Sequence, residues 1–277
     1  MAYIIATTDF SAVAENAVHY AAALAAQYRM DMVLLHTFTF PIMVGEVVIP
    51  ASLIEDTHYD AEKRVAEMIE ELKYKHPALK VTTIVAMGDI LERIGQYAHE
   101  HTAPAMVVMG NSNTSGQSAW FLSTLKSATI NLPYPVLAIP PGVSYIQPAT
   151  ICIATDFEQP ENVTAMEQLN ELTSELGAAL HVLSVQEDIS YNNETELNEA
   201  IENTTLKNAQ YHFVNKVNVD IDEAILSFCH SNSYDWLVVV PGKYSFFERL
   251  FHSSHTKAIA SKADLPLLIL HGRNEAE

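Results

Sequence analysis

A doubly wound α/β fold, present twice, is what this 277-residue chain predicts. Three observations carry that expectation. Short apolar runs alternate with segments of helical periodicity, the pattern of a parallel sheet covered by helices on both faces. The runs recur: Ile4-Ile-Ala-Thr-Thr-Asp-Phe10 returns as Ile151-Cys-Ile-Ala-Thr-Asp-Phe157. Three further pairs follow in the same order: Met32–His36 with Leu180–Ser184, Met106–Gly110 with Leu237–Pro241, and Pro133–Ile139 with Leu265–Leu270. A period this long means two copies of a whole domain, not an array of short repeats. The boundaries read as residues 1–141 and 149–273, around a Pro-rich linker from Pro140 to Pro148.

In the first copy, strand one covers about residues 2–8, and Ser11 can cap the helix that follows. The inner face of that helix reads Ala17, Ala21, Leu24, Ala25 and Tyr28. Strand two is residues 31–37. A loop with Pro41, Gly45 and Pro50 precedes a long helix from near Ser52, whose apolar side is Leu53, Ala61, Val65, Met68, Ile69 and Leu72. Strand three lies near 80–86. Gly88-Asp89 opens a short helix with Ile90, Ile94, Tyr97 and Ala98. Strand four is 105–109, a helix spans 121–131, and strand five is 136–139. The second copy repeats the scheme, with Val163, Met166, Leu169, Leu172 and Leu176 on its first helix. The offset between copies falls from 148 at His36/Ser184 to 131 at Pro135/Pro266, so the second copy lacks 17 residues between strands two and four.

With 49% apolar residues, each half can build its own core. A formal charge of −19 disfavours nucleic acid and anionic membranes as partners. It leaves room for a phosphate ligand, because helix N-termini and backbone amides hold anions without a basic patch. Cys152 and Cys229 form no spaced motif and read as buried thiols of a reducing compartment. No run of 18 apolar residues and no signal-like segment is found, so a cytoplasmic location is expected.

In a doubly wound sheet the ligand site lies beyond the carboxyl ends of the strands, where strand order reverses. Asp9 and Gly110 stand at such ends. The segment from Val108 to Leu125 joins strand four to a helix through small polar residues. Gly110 and Gly116 permit close backbone approach, Asn113 tolerates a left-handed conformation, and Ser123-Thr124 offers two hydroxyls. Successive amides there can form an anion nest. The same residues equally suit a surface loop with helix-capping serines.

At these positions the chain resembles the universal stress proteins, over both halves. The resemblance rests on the Thr8-Asp9 and Thr155-Asp156 strand ends, the Leu34-Leu35-His36 strand, the Met109-Gly110 strand end and the Pro133-Tyr-Pro-Val-Leu137 exit. Members that bind ATP carry Gly-x2-Gly-x9-Gly-Ser/Thr after strand four. Here the first glycine is Gly110, the second is replaced by Asn113, the third by Ser123, and the hydroxyl is kept as Thr124. The resemblance implies an adenine-side acid at Asp9, after Thr8, and an adenine-reading backbone at Thr37. Thr8, Asp9, Thr37, Met109, Gly110, Asn113, Gly116, Ser123 and Thr124 are therefore the candidate ATP-binding residues. No metal is expected beyond a Mg²⁺ carried by the nucleotide.

The second copy reads differently. Pro241 replaces Gly110 and has no amide to offer, and Phe246-Phe247 interrupt the loop. Ser253-Ser254 keep the hydroxyl pair, and Asp156 matches Asp9. His99/His101 and His252/His255 lack the partners of a structural zinc site. Neither a Gly-x-Ser-x-Gly elbow nor a Walker lysine motif occurs, so no catalysis is expected. Two readings follow: a regulatory nucleotide-binding module with one site in the first half, or a ligand-free interaction protein with an unknown protein partner. Pairing of the last strands, near Val136–Ile139 and Leu267–Leu270, is expected to cover two sheet edges within one chain, as a pseudo-dimer.

Overall fold

The computed structural model describes residues 2–40, 49–111, 124–125, 127–128, 131–154, 163–186, 210–215, 221–240 and 263–270. They fall into two compact units, divided after Tyr145.

In the first unit, β1 (Tyr3–Thr8), α1 (Ala12–Tyr28), β2 (Asp31–Phe38), α2 (Ala51–Lys75), β3 (Val81–Met87), α3 (Ile90–Glu100), β4 (Met106–Gly110) and β5 (Val136–Ile139) follow in chain order. The strand order is β3-β2-β1-β4-β5, and the pairs β1/β2, β1/β4, β2/β3 and β4/β5 are all parallel. The chain builds outward from β1 to β3, then crosses to the far side of β1 for β4. Strand order therefore reverses between β1 and β4.

Local chemistry explains the helix ends. The Ser11 hydroxyl accepts from the Ala14 amide at 3.2 Å and caps α1, as its position after an apolar strand predicted. Arg29 ends the helix in the left-handed region (φ 55°), returning its N–H to the Ala25 and Ala26 carbonyls. Asp89 caps α3 by accepting from the Leu91 and Glu92 amides, and Gly88 precedes it at φ 133°, a conformation that favours glycine.

The core follows the expected faces with three differences. Leu53 is 47% exposed, and burial on α2 begins only at Ala61. Tyr28, Ile69 and Tyr97, and Leu172 in the second unit, are only half-buried, at the margins of their stripes. β3 is not covered on both faces: it is the outer strand, and Thr82 and Thr83 are exposed.

The second unit comprises β6 (Thr150–Ala154), α4 (Val163–Leu176), β7 (Ala179–Gln186), β8 (Gln210–Asn215), α5 (Ile221–Ser231), β9 (Trp236–Val239) and β10 (Leu267–Ile269). Its order is β10-β9-β6-β7-β8, again parallel, the same plan as the first unit. Asp235 fixes the start of β6 by accepting from the Ala149 and Thr150 amides, both at 2.8 Å. The chain between β2 and β3 occupies residues 39–80, and between β7 and β8 only 187–209, so the missing residues fall where the changing offset indicated.

Candidate functional site at the carboxyl edge of the first sheet

The reversal between β1 and β4 opens a crevice at their carboxyl ends, the position where sheets of this kind bind ligands. Thr8 and Asp9 form one side and Met109 and Gly110 the other. The chain leaves β1 through a tight turn. The Phe10 amide donates to the Thr8 hydroxyl at 2.9 Å, and the Ser11 amide donates to Asp9 Oδ1 at 2.8 Å. Phe10 itself adopts φ 63°, rare for a residue with a side chain. Asp9 thus helps to shape the turn before α1. Among the described residues only its Oδ1 is engaged.

Phe10 is the centre of a stack that sequence reasoning missed. Its ring lies 4.3 Å from that of His36, and the Arg64 guanidinium sits 4.1 Å from its centroid. Arg64 also donates to the Phe10 carbonyl at 3.2 Å. The cation–aromatic attraction and this bond together pin a strained residue in place. Arg64 comes from α2, 54 positions along the chain, so no local pattern signals it. An aromatic directly after a strand-end acid was the available hint.

His36 ties the two strand ends together: its Nδ1 lies 2.8 Å from the Thr8 carbonyl oxygen. A carbonyl only accepts, so Nδ1 carries the proton. Burial holds the imidazole below its usual 6.5; the Thr8 bond and Asp9 oppose that shift, and Arg64 reinforces it. His19 is lowered in the same way, mainly by burial. A histidine whose folded-state pKa is depressed contributes stability that is full above its unfolded pKa and is lost as pH falls from that value down through the folded one. The first unit is therefore expected to lose stability as pH falls below 6.5 and on through the lowered folded-state values of His36 and His19. An NMR titration of the His36 ring should place its midpoint below 6.5; a midpoint at or above it would show that burial does not dominate.

Other site residues fall differently from expectation. β2 runs one residue further than expected, to Phe38, so Thr37, expected as its last residue, lies inside the ladder opposite Ala86. Met109 is fully buried, and its side chain belongs to the core. Gly110 is constrained by the protein itself. A Cβ there would stand 3.0 Å from the Val13 carbonyl oxygen and 3.0 Å from its Cγ1, so the glycine lets α1 pack against the end of β4. Thr124 is helical and buried. Asn113, Gly116 and Ser123 lie outside the described residues. His101 is committed through Nδ1 to the Tyr97 carbonyl at 2.9 Å, and no metal-holding group occurs among the described residues.

The universal stress protein family model matches residues 2–140 and again 149–271. The chain belongs to the universal stress protein family. No curated protein matches it. Its fold is similar to that of a universal stress protein from Archaeoglobus fulgidus, at 14% identity over 99% of this chain and 97% of that one, with a TM-score of 0.70. A putative universal stress protein from Pseudomonas aeruginosa, also 14% identical, covers 97% and 92% with a TM-score of 0.56. No helix among the described residues is long and apolar enough to cross a membrane.

Proposed function

We propose that the first domain is a regulatory adenine-nucleotide module that binds one ATP, and that the second domain binds none. The observation that carries this reading is the reversal of strand order between β1 and β4, which sets Asp9 and Gly110 on opposite sides of one crevice. Asp9 suits the role because its second carboxylate oxygen has no partner among the described residues. The Phe10 ring is already packed against His36 and Arg64, so recognition of a base there rests on hydrogen bonds to Asp9 and the β2 end. Arg64 adds a cation beside the turn in a chain of net charge −19. The module acts without catalysis, in the cytoplasm, where two unpaired cysteines are at home.

The ligand-free reading also has an observation in its favour. Asp9 and Gly110 each have a structural duty, in the turn before α1 and in the packing of Val13, that accounts for them without a nucleotide. Calorimetry with Mg-ATP, and native mass spectrometry of the protein as purified, separate the two. One nucleotide per chain is expected. The second copy has Pro241 in place of Gly110, and Phe246-Phe247 in its loop. Two equivalent sites would overturn the asymmetry, and no binding would leave the interaction protein as the reading.

A further inference from the structure

β3 has β2 on one side and, among the described residues, no strand on the other. The Lys80 carbonyl accepts from the Met32 amide at 2.9 Å, and the Gly88 amide donates to the Phe38 carbonyl at 3.1 Å. Successive residues of a strand turn their backbone groups to opposite sides. With the register running from Met32↔Val81 to Phe38↔Met87, the even-numbered residues of β3 face β2. The N–H and C=O groups of Val81, Thr83, Val85 and Met87 therefore point outward, a row on which another strand can build. Side chains close two of these carbonyls. His58 of α2 sets Nε2 3.2 Å from the Val85 oxygen, and Arg93 of α3 donates from Nη2 to the Met87 oxygen at 2.9 Å. Both are held in place. The His58 ring meets that of Phe38 at 6.0 Å, and its Nδ1 lies 3.7 Å from Glu62 Oε1. Arg93 also donates to Gln96 Oε1 at 2.8 Å, and Gln96 donates to Glu100.

We propose that His58 and Arg93 guard the outer edge of β3, and that the surface they close is a pairing site for β3 of a second copy of this chain. The strand reads Val-Thr-Thr-Ile-Val-Ala-Met, with neither charge nor proline, so its protection must come from other elements. Exposed Lys80, just before its first residue, blunts one end. His58 and Arg93 blunt the other. The stretch left between them, from Val81 to Thr83, is shorter than the five or so residues of an ordinary strand. Opening Val85 and Met87 restores all seven residues of β3. Antiparallel pairing of two such edges about a two-fold axis needs this one surface alone. The inference is independent of whether the crevice holds a nucleotide.

The test is sedimentation of the full chain over a range of concentrations. Salt of about 0.15 M screens the repulsion between chains of net charge −19 beyond about 8 Å. His58→Ala combined with Arg93→Met opens both carbonyls. The mass of this double variant is expected to rise with concentration toward twice that of the parent. Adding Thr83→Pro should return it to the parent's value. The Thr83 N–H faces outward, so proline removes a donor from the open edge and no bond to β2. Circular dichroism checks that each variant is folded. If the double variant is not, the two single variants take its place, each opening one carbonyl. If the proline variant is not, Thr83→Lys puts a charge on the edge instead. A mass equal to the parent's at every concentration would overturn the proposal. An association that neither substitution at Thr83 reverses, or one that grows without limit, would do the same.

Discussion

Gly110→Ala is expected to lower the unfolding temperature of the first domain, whereas Gly95→Ala is not. The alanine methyl at position 110 would meet the Val13 carbonyl oxygen and Cγ1 at 3.0 Å and the carbonyl carbon at 3.1 Å. Two of these three atoms are backbone, so α1 must move as a body to relieve the contact. Overpacking of this kind costs about 1–3 kcal/mol. For a domain of this size that is roughly 3–10 °C. Gly95 lies within α3, and a Cβ there meets nothing within 4 Å. Alanine at that position should stabilise by about 0.5–1 kcal/mol through helix propensity. Calorimetry of both variants in the full chain checks the pair. An unchanged transition for Gly110→Ala would show that α1 tolerates a wider separation from β4. The result also bears on ligand studies: a loss of ATP affinity on mutating Gly110 would report a displaced α1 as readily as a lost phosphate contact.

Asp9 allows the two roles to be separated. Its Oδ1 accepts from the Ser11 amide, and this bond shapes the turn that begins α1. Asparagine keeps an oxygen for that bond and replaces the second oxygen by an NH₂ donor. Asp9→Asn is therefore expected to unfold within about 0.5 kcal/mol of the parent. It should nonetheless weaken ATP, because a ligand N–H or O–H that donated to the carboxylate now faces a donor. Loss of a hydrogen bond to a charged group costs about 1.5–3 kcal/mol, or roughly ten- to a hundredfold in affinity. Asp9→Ala removes both interactions and should add a stability loss of about 1 kcal/mol. Titration of the three proteins with Mg-ATP, beside their denaturation curves, decides the matter. If Asp9→Asn binds ATP as the parent does, the acid serves the turn alone.

The site was only partly legible in the sequence, and the division follows the range of the interactions. The strand-end acid and the capping serine could be read because both act within three residues of themselves. Thr37 was placed at the strand end by the family resemblance; backbone pairing with β3 carries β2 on to Phe38 regardless of side chain. Leu53 read as core because it continues a helical stripe, but a stripe does not reveal which of its residues the fold covers. Gly110 read as a ligand glycine from its motif; its proximity to Val13 depends on how α1 lies on β4, which no spacing encodes.

What the sequence by itself determined is the alternation of strands and helices, the duplication, the family and the edge of the sheet on which a site must lie. Periodicity, capping and repetition are written in neighbouring residues, and the right-handed parallel crossover leaves few ways to assemble them. Only the tertiary structure decided which distant groups meet: Arg64 and His36 against the ring of Phe10, and Val13 against Gly110. Those meetings are set by the packing of helices on sheets, where a residue's partner is chosen by shape and register across many positions of chain, not by its neighbours in sequence.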